Sequence, residues 1–155
     1  MTTLTIVSLV TLLFVLIGMS AYFSSSETAM MALNRYRLRH LAEKGHRGAN
    51  RAQQLLERPD RLIGVILLGN NFVNILATQI ATILALQLLG NDGLLITTIA
   101  LTIVILIFAE VLPKTFAALN PERIAFPSTL LLKPLLWILY PLVWTVNGVS
   151  NGILD

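Results

Sequence analysis

The chain contains no cysteine, which excludes disulfides, thiolate metal sites and cysteine nucleophiles. Charge is scarce too. Asp, Glu, Lys and Arg make up 12% of the 155 residues, against 55% hydrophobic, where soluble domains carry about 25% charged residues. Mean hydropathy is +0.77. Histidine is limited to His40 and His46, and with no acidic or cysteine cluster beside them they read as solvated loop residues rather than metal ligands. No basic segment precedes the first apolar run. Met1-Thr2-Thr3 leads straight into it, so that run is expected to be a retained helix rather than a cleaved signal peptide. A net charge of +3 does not make this a nucleic-acid binder, because the basic residues form one block between apolar runs, as membrane topology requires.

What the chain has in abundance is apolar length. Crossing a hydrocarbon core of ~30 Å takes about 20 apolar helical residues. Three segments qualify, at 4–33, 62–89 and 94–116. Between the first two, residues 34–61 carry Arg35, Arg37, Arg39, Lys44, Arg47, Arg51, Arg58 and Arg61, eight of the chain's eleven Lys and Arg. The connection Gly90-Asn91-Asp92-Gly93 carries none and reads as a tight turn. The positive-inside rule then places the N-terminus outside, the basic segment and the C-terminus in the cytoplasm, and the protein in the cell's inner (plasma) membrane. The basic segment reads as two short helices broken at residues 44–48, with Pro59 ending the second and opening the next span. Residues 121–155 are apolar but interrupted by Pro127, Pro134 and Pro141, and they carry Trp137, Tyr140 and Trp144. This pattern favours a kinked helix lying in or near the cytoplasmic interface, with a fourth span as the alternative. The expected fold is one all-α membrane domain: three transmembrane helices, a basic helical hairpin and a C-terminal interfacial helix.

Each span carries a polar interruption: Ser24-Ser25-Ser26-Glu27-Thr28, Gly69-Asn70-Asn71-Phe72-Val73-Asn74, and Glu110 with Pro113. A carboxylate at membrane depth costs about 2.5–3.5 kcal/mol and marks a functional position. Counting ~1.5 Å per residue from the cytoplasmic ends puts Ser24, Asn70 and Glu110 at about 13, 12 and 9 Å. Asn70 and Asn74 share a helix face at i, i+4, and Ser24 and Glu27 another at i, i+3. Pro113 has no N–H for the carbonyl of Ala109, which becomes a possible backbone ligand beside Glu110. Gly69 permits close approach to its backbone, and Gly64 and Pro113 read as flex points. Structural readings stand beside these. Ser24 and Glu27 match a capping box, Ser25 and Ser26 can bond their own backbone, and Asn71 reads as interhelical glue. Glu27 can pair with Arg35, and Glu110 with Lys114. The donors are all oxygens, which suits Mg²⁺, Ca²⁺ or Na⁺ and disfavours zinc or copper. A serine hydrolase needs a base, and the spans hold no histidine and no Ser–Lys pair at a common depth, so the chain is not read as an enzyme. A membrane anchor for cytosolic domains is the rival to a transporter.

The motifs Phe23-Ser24-Ser25-Ser26-Glu27-Thr28-Ala29, Gly69-Asn70-Asn71-Phe72-Val73-Asn74 and Phe108-Ala109-Glu110-Val111-Leu112-Pro113-Lys114 resemble those of the DUF21 transmembrane domain of the CorC/CNNM family. The similarity runs over essentially the whole chain. It implies a homodimeric, Na⁺-dependent exporter of Mg²⁺ with three membrane helices and a juxtamembrane belt. Ion binding would fall on Ser24, Asn70, Asn74 and Glu110, and on the Gly69 carbonyl. Ser25, Ser26, Glu27 and Ala109 would be secondary. The resemblance also implies cytosolic CBS domains, which these 155 residues do not include.

Overall fold

The computed structural model describes residues 2–154, and these form helices and short connections with no strand among them. Helix α1 (Thr3–Ala32) is capped by the Thr2 hydroxyl, which accepts from the Thr5 N–H. Ser24 and Glu27 lie deep inside α1, so they do not cap a helix as the capping-box reading has it. The basic segment folds as α2 (Arg35–Glu43) and α3 (Arg47–Leu56), capped by Asn34 and His46. His46 is not a free loop residue. Its Nδ1 accepts from the Ala49 N–H at 3.0 Å and its ring sits 5.0 Å from that of Phe126.

Helix α4 (Pro59–Leu88) opens on Pro59, whose fixed φ and absent N–H suit a first turn. Gly90, at φ 73°, reverses the chain, a conformation that costs glycine nothing. A 3₁₀ turn over Asn91–Gly93 leads into α5 (Leu94–Ile105). A π-helical turn (Leu106–Val111) joins α5 to α6 (Leu112–Leu119). In this turn the Leu112 N–H reaches back five residues to the Ile107 carbonyl. Pro113 accounts for the widening, because its ring would collide with the Ala109 carbonyl in a regular α-turn.

The final helix, α7 (Pro121–Leu154), is continuous through its three prolines. They recur every seven residues, which puts them on one face, and all three are exposed. The broken backbone bonds therefore lie on the outer side, where no packing is lost. By length and hydropathy four helices can cross a membrane: Thr3–Ala32, Pro59–Leu88, Asn91–Leu119 and Pro121–Leu154. This is a multi-pass membrane protein.

The core forms where α1 packs along α4, closed on one side by the π turn with α6 and capped by α7. Phe23, Met30, Leu62, Ile66, Val73 and Ala77 are buried there. Gly64 and Gly69 set two close approaches. A Cβ on Gly69 would lie 2.7 Å from the Phe23 ring, and one on Gly64 would lie 2.8 Å from Val143. Both glycines thus have a packing reason beyond any hinge role.

The path of α7 is set by its partners. Glu122 pairs with Arg37 of α2, the Tyr22 hydroxyl donates to the Ser128 carbonyl at 3.2 Å, and Arg51 Nε donates to Thr129 Oγ1 at 3.0 Å. Lys133 donates to Gln54 at 2.9 Å, and Arg61 donates to the Tyr140 hydroxyl at 3.0 Å. From Glu122 to Val143 the helix covers about 32 Å. Yet every one of these contacts falls on the hairpin, the last three turns of α1 or the first two turns of α4. Helix α7 runs across one end of the bundle.

Candidate functional site

Two interhelical polar contacts stack on one face of α1. The Ser20 hydroxyl donates to Asn70 Oδ1 of α4 at 2.8 Å, and the Ser24 hydroxyl reaches Glu110 Oε1 in the π turn at 3.4 Å. Ser20 and Ser24 stand one turn apart, so the face that meets α4 above meets the π turn below. Ser24 is fully buried, Ser20 and Asn70 nearly so, and Glu110 is half-buried. No buried polar side-chain atom among the described residues lacks a partner, so these groups sit in a satisfied, low-dielectric network.

Glu110 has a second partner. Its Oε2 lies 3.2 Å from Lys114 Nζ, one turn on. The ordinary ion pair anticipated from the sequence therefore exists together with the contact to Ser24, and it leaves one carboxylate oxygen facing α1. The π turn helps to aim it. Such turns inside α-helices occur frequently at functional sites, and Ala109, immediately before Glu110, is fully buried.

The remaining expected residues distribute differently. Asn74 is half-buried one turn from Asn70, and its carbonyl accepts from Thr78. Ser25 donates to the Tyr22 carbonyl at 3.0 Å, the local back-bonding that serines make in membrane helices. Ser26 faces α7, where it donates to Ser128 Oγ at 3.0 Å, and Ser128 passes the bond on to the Ile124 carbonyl. Glu27 is half-buried and forms no ion pair among the described residues. Gly69 presents its α-carbon to the Phe23 ring. No cluster of three His, Cys, Asp or Glu residues occurs among the described residues, so the oxygen donors are hydroxyl, amide and a single carboxylate.

Ser20 is absent from the sequence-derived set. Its spacing of four from Ser24 is the signal that identifies it. A depth count along each span does not find it, because depth says nothing about which way a side chain points.

Beside Glu110 lies a groove of about 300 Å³ between α4 and α5, lined by Thr78, Thr82, Thr97, Thr98 and Thr102 along with aliphatic residues. Glu110 is its only charged wall.

Residues 11–155 match the model of the cyclin M (CNNM) transmembrane N-terminal domain. The chain is 56% identical over 135 residues to the UPF0053 inner membrane protein YfjD of Escherichia coli, covering 87% of this chain and 32% of that protein. It is 47% identical over 144 residues to a UPF0053 protein of Haemophilus influenzae, covering 93% and 34% respectively. A more distant relative, the polyamine export protein of Salmonella typhimurium, is 26% identical over 155 residues, 92% of this chain and 35% of that one. The chain thus spans about a third of the length of these curated relatives. With three polar motifs on three apolar helices and a family match over nearly its whole length, this chain belongs to the CNNM (DUF21) family of membrane proteins.

Proposed function

We propose that this domain exports Mg²⁺ from the cytoplasm in exchange for Na⁺, through a site formed by Ser24, Asn70 and Glu110 with Ser20 and Asn74 beside it. The observation that carries the reading is the Ser24–Glu110 contact at 3.4 Å between α1 and the π turn, with the Ser20–Asn70 bond of 2.8 Å one turn away. Mg²⁺ takes oxygen ligands in near-octahedral geometry and sheds water reluctantly. Two or three protein oxygens with retained waters suit it. One carboxylate holds the ion loosely enough to let it go. In this reading the incoming ion competes with the Lys114 ammonium for Glu110, so the site keeps a positive charge beside its carboxylate when no ion is bound. The π turn and Pro113 are where the third span would flex. Gly64, packed on Val143, would let α4 slide against α7.

The same reading places three spans in the bilayer, with the N-terminus outside, the hairpin and C-terminus in the cytoplasm, and α7 as a belt at the inner interface. The contacts of α7 with one end of the bundle, and the exposed Trp137 and Trp144, support the belt over a fourth crossing. The protein would work as a homodimer. Only 6% of the most apolar window of Asn91–Leu119 is buried within the chain, which leaves area for a second copy.

A second reading has one observation in its favour. The groove beside Glu110 offers acceptor oxygens one helical turn apart, a spacing that a linear polyamine's ammonium groups can follow, and distant relatives carry the name polyamine export protein. Efflux from proteoliposomes loaded with Mg²⁺ or with spermidine, with and without opposing Na⁺, separates the readings. Na⁺-stimulated Mg²⁺ efflux supports the first and spermidine efflux alone supports the second. No efflux of either leaves a membrane anchor as the better account.

A further inference from the structure

Every threonine of α4 and α5 lines a single groove. Thr78 and Thr82 come from α4, and Thr97, Thr98 and Thr102 come from α5, whose first turn begins at Leu94. The groove therefore starts at the end of the bundle where Gly90–Gly93 reverses the chain, opposite the basic hairpin. It ends on Glu110. Its volume of about 300 Å³ has room for several waters.

Four of the five hydroxyl protons in it are committed. Thr78 donates to the Asn74 carbonyl at 2.9 Å and Thr82 to the Thr78 carbonyl at 2.8 Å. Thr98 donates to the Leu94 carbonyl at 2.8 Å and Thr102 to the Thr98 carbonyl at 2.7 Å. A hydroxyl has one proton and two lone pairs. With the proton spent on its own helix, each of these four oxygens can only accept. Threonines in membrane helices commonly make this bond, and that alone would scatter them around the helices. Here two helices turn all of theirs toward one another, over Glu110, the one carboxylate lining the groove. The lining repels anions and solvates cations.

We infer that this groove is the outer half of the cation path, carrying a hydrated cation between the Gly90–Gly93 end of the bundle and Glu110. The inference rests on the reading of Glu110 as a cation ligand. It adds the route, the polarity of its walls and the residues that make it.

The absence of cysteine makes the test direct. Single variants Thr98→Cys and Thr102→Cys are reconstituted and exposed, on the side of the 90–93 turn, to a membrane-impermeant cationic thiosulfonate. Ile99→Cys on the exposed apolar face of α5, covered by lipid or by the second copy, is the dry control. Lys44→Cys, in the hairpin break, reports the opposite face. Both threonine positions should react at least about tenfold faster than Ile99→Cys, since only a hydrated thiol ionises to the reactive thiolate. Mg²⁺ should slow Thr102→Cys. Equal rates at the three α5 positions overturn the path. The paired variant Thr98→Val with Thr102→Val should lower efflux by about tenfold, because methyl groups replace acceptors along a cation's route. Its Mg²⁺ binding in detergent should persist, and the double serine variant should keep wild-type efflux. Unchanged efflux in the valine pair also overturns the path. Fast labelling in a protein that exports no Mg²⁺ would retain the path and remove the Mg²⁺ reading. Efflux that depends on Glu110 without labelling would do the reverse.

Discussion

Gly69→Ala should damage this protein through one contact. A Cβ there would lie 2.7 Å from Phe23 Cζ, 2.9 Å from Cε1 and 3.2 Å from Cε2, while ordinary contact begins near 3.4 Å. Phe23 is buried between α1 and α4, at 6% exposure, so the ring has little room to retreat and the helices must part by about 0.7 Å. Ser20 sits one turn before Phe23 on α1. The same displacement would stretch its 2.8 Å bond to Asn70 to about 3.5 Å, the limit of a useful hydrogen bond. Overpacking of this kind costs about 1–3 kcal/mol, and weakening an interhelical bond in a membrane adds ~0.6 kcal/mol. Reversible unfolding in mixed micelles measures the sum. Phe23→Leu, which removes the ring, should restore most of the loss in the double variant, giving a coupling energy of about 1 kcal/mol or more. A change below ~0.5 kcal/mol for Gly69→Ala, the level of an inconsequential substitution, would refute the reasoning, as would a double variant no better than the single.

Other expectations separate site from scaffold. Ser24→Ala should cut Mg²⁺ efflux with little loss of stability, while Ser26→Ala, which removes the bond to Ser128, should cost about 0.6 kcal/mol of stability and leave efflux per folded molecule unchanged. Lys114→Met removes the ammonium 3.2 Å from Glu110 and should tighten Mg²⁺ binding by up to about fivefold, the worth of a partly exposed ion pair, as read by calorimetric titration. Brominated lipids should quench Trp137 and Trp144, 85% and 68% exposed, most strongly when the bromines sit near the headgroups. Strongest quenching from the bilayer centre would make α7 a fourth span.

The sequence shows a good deal of this architecture because each signal is local. Pro59 marks a helix start through its own missing N–H, Gly90 a reversal through its positive φ, and the three apolar runs mark three of the four long apolar helices to within a few residues. That Ser24 and Glu110 lie near one depth is also legible, from residue counts. Rotation about the helix axis is not. A count of residues places Asn70 level with Ser24 but does not say that its amide turns to Ser20, or that Ser26 turns away to Ser128. The π turn shows the same limit. Pro113 announces a disrupted bond at Ala109, but whether the helix kinks or widens depends on the packing of α1 against it. The end-on path of α7 was visible only in part. Its prolines and aromatics suggest an interface, while the side chains it bonds to lie 78 to 106 residues away in sequence.

The measurement that bears most directly on the central claim is Mg²⁺ efflux from loaded proteoliposomes against external Na⁺, comparing the wild-type protein with Glu110→Gln. The substitution keeps the shape and one acceptor oxygen while removing the only charge the site offers a cation. If Glu110 is the anionic ligand, efflux in Glu110→Gln falls to the protein-free rate and Mg²⁺ binding weakens with it. Equal efflux from the two proteins would contradict the account.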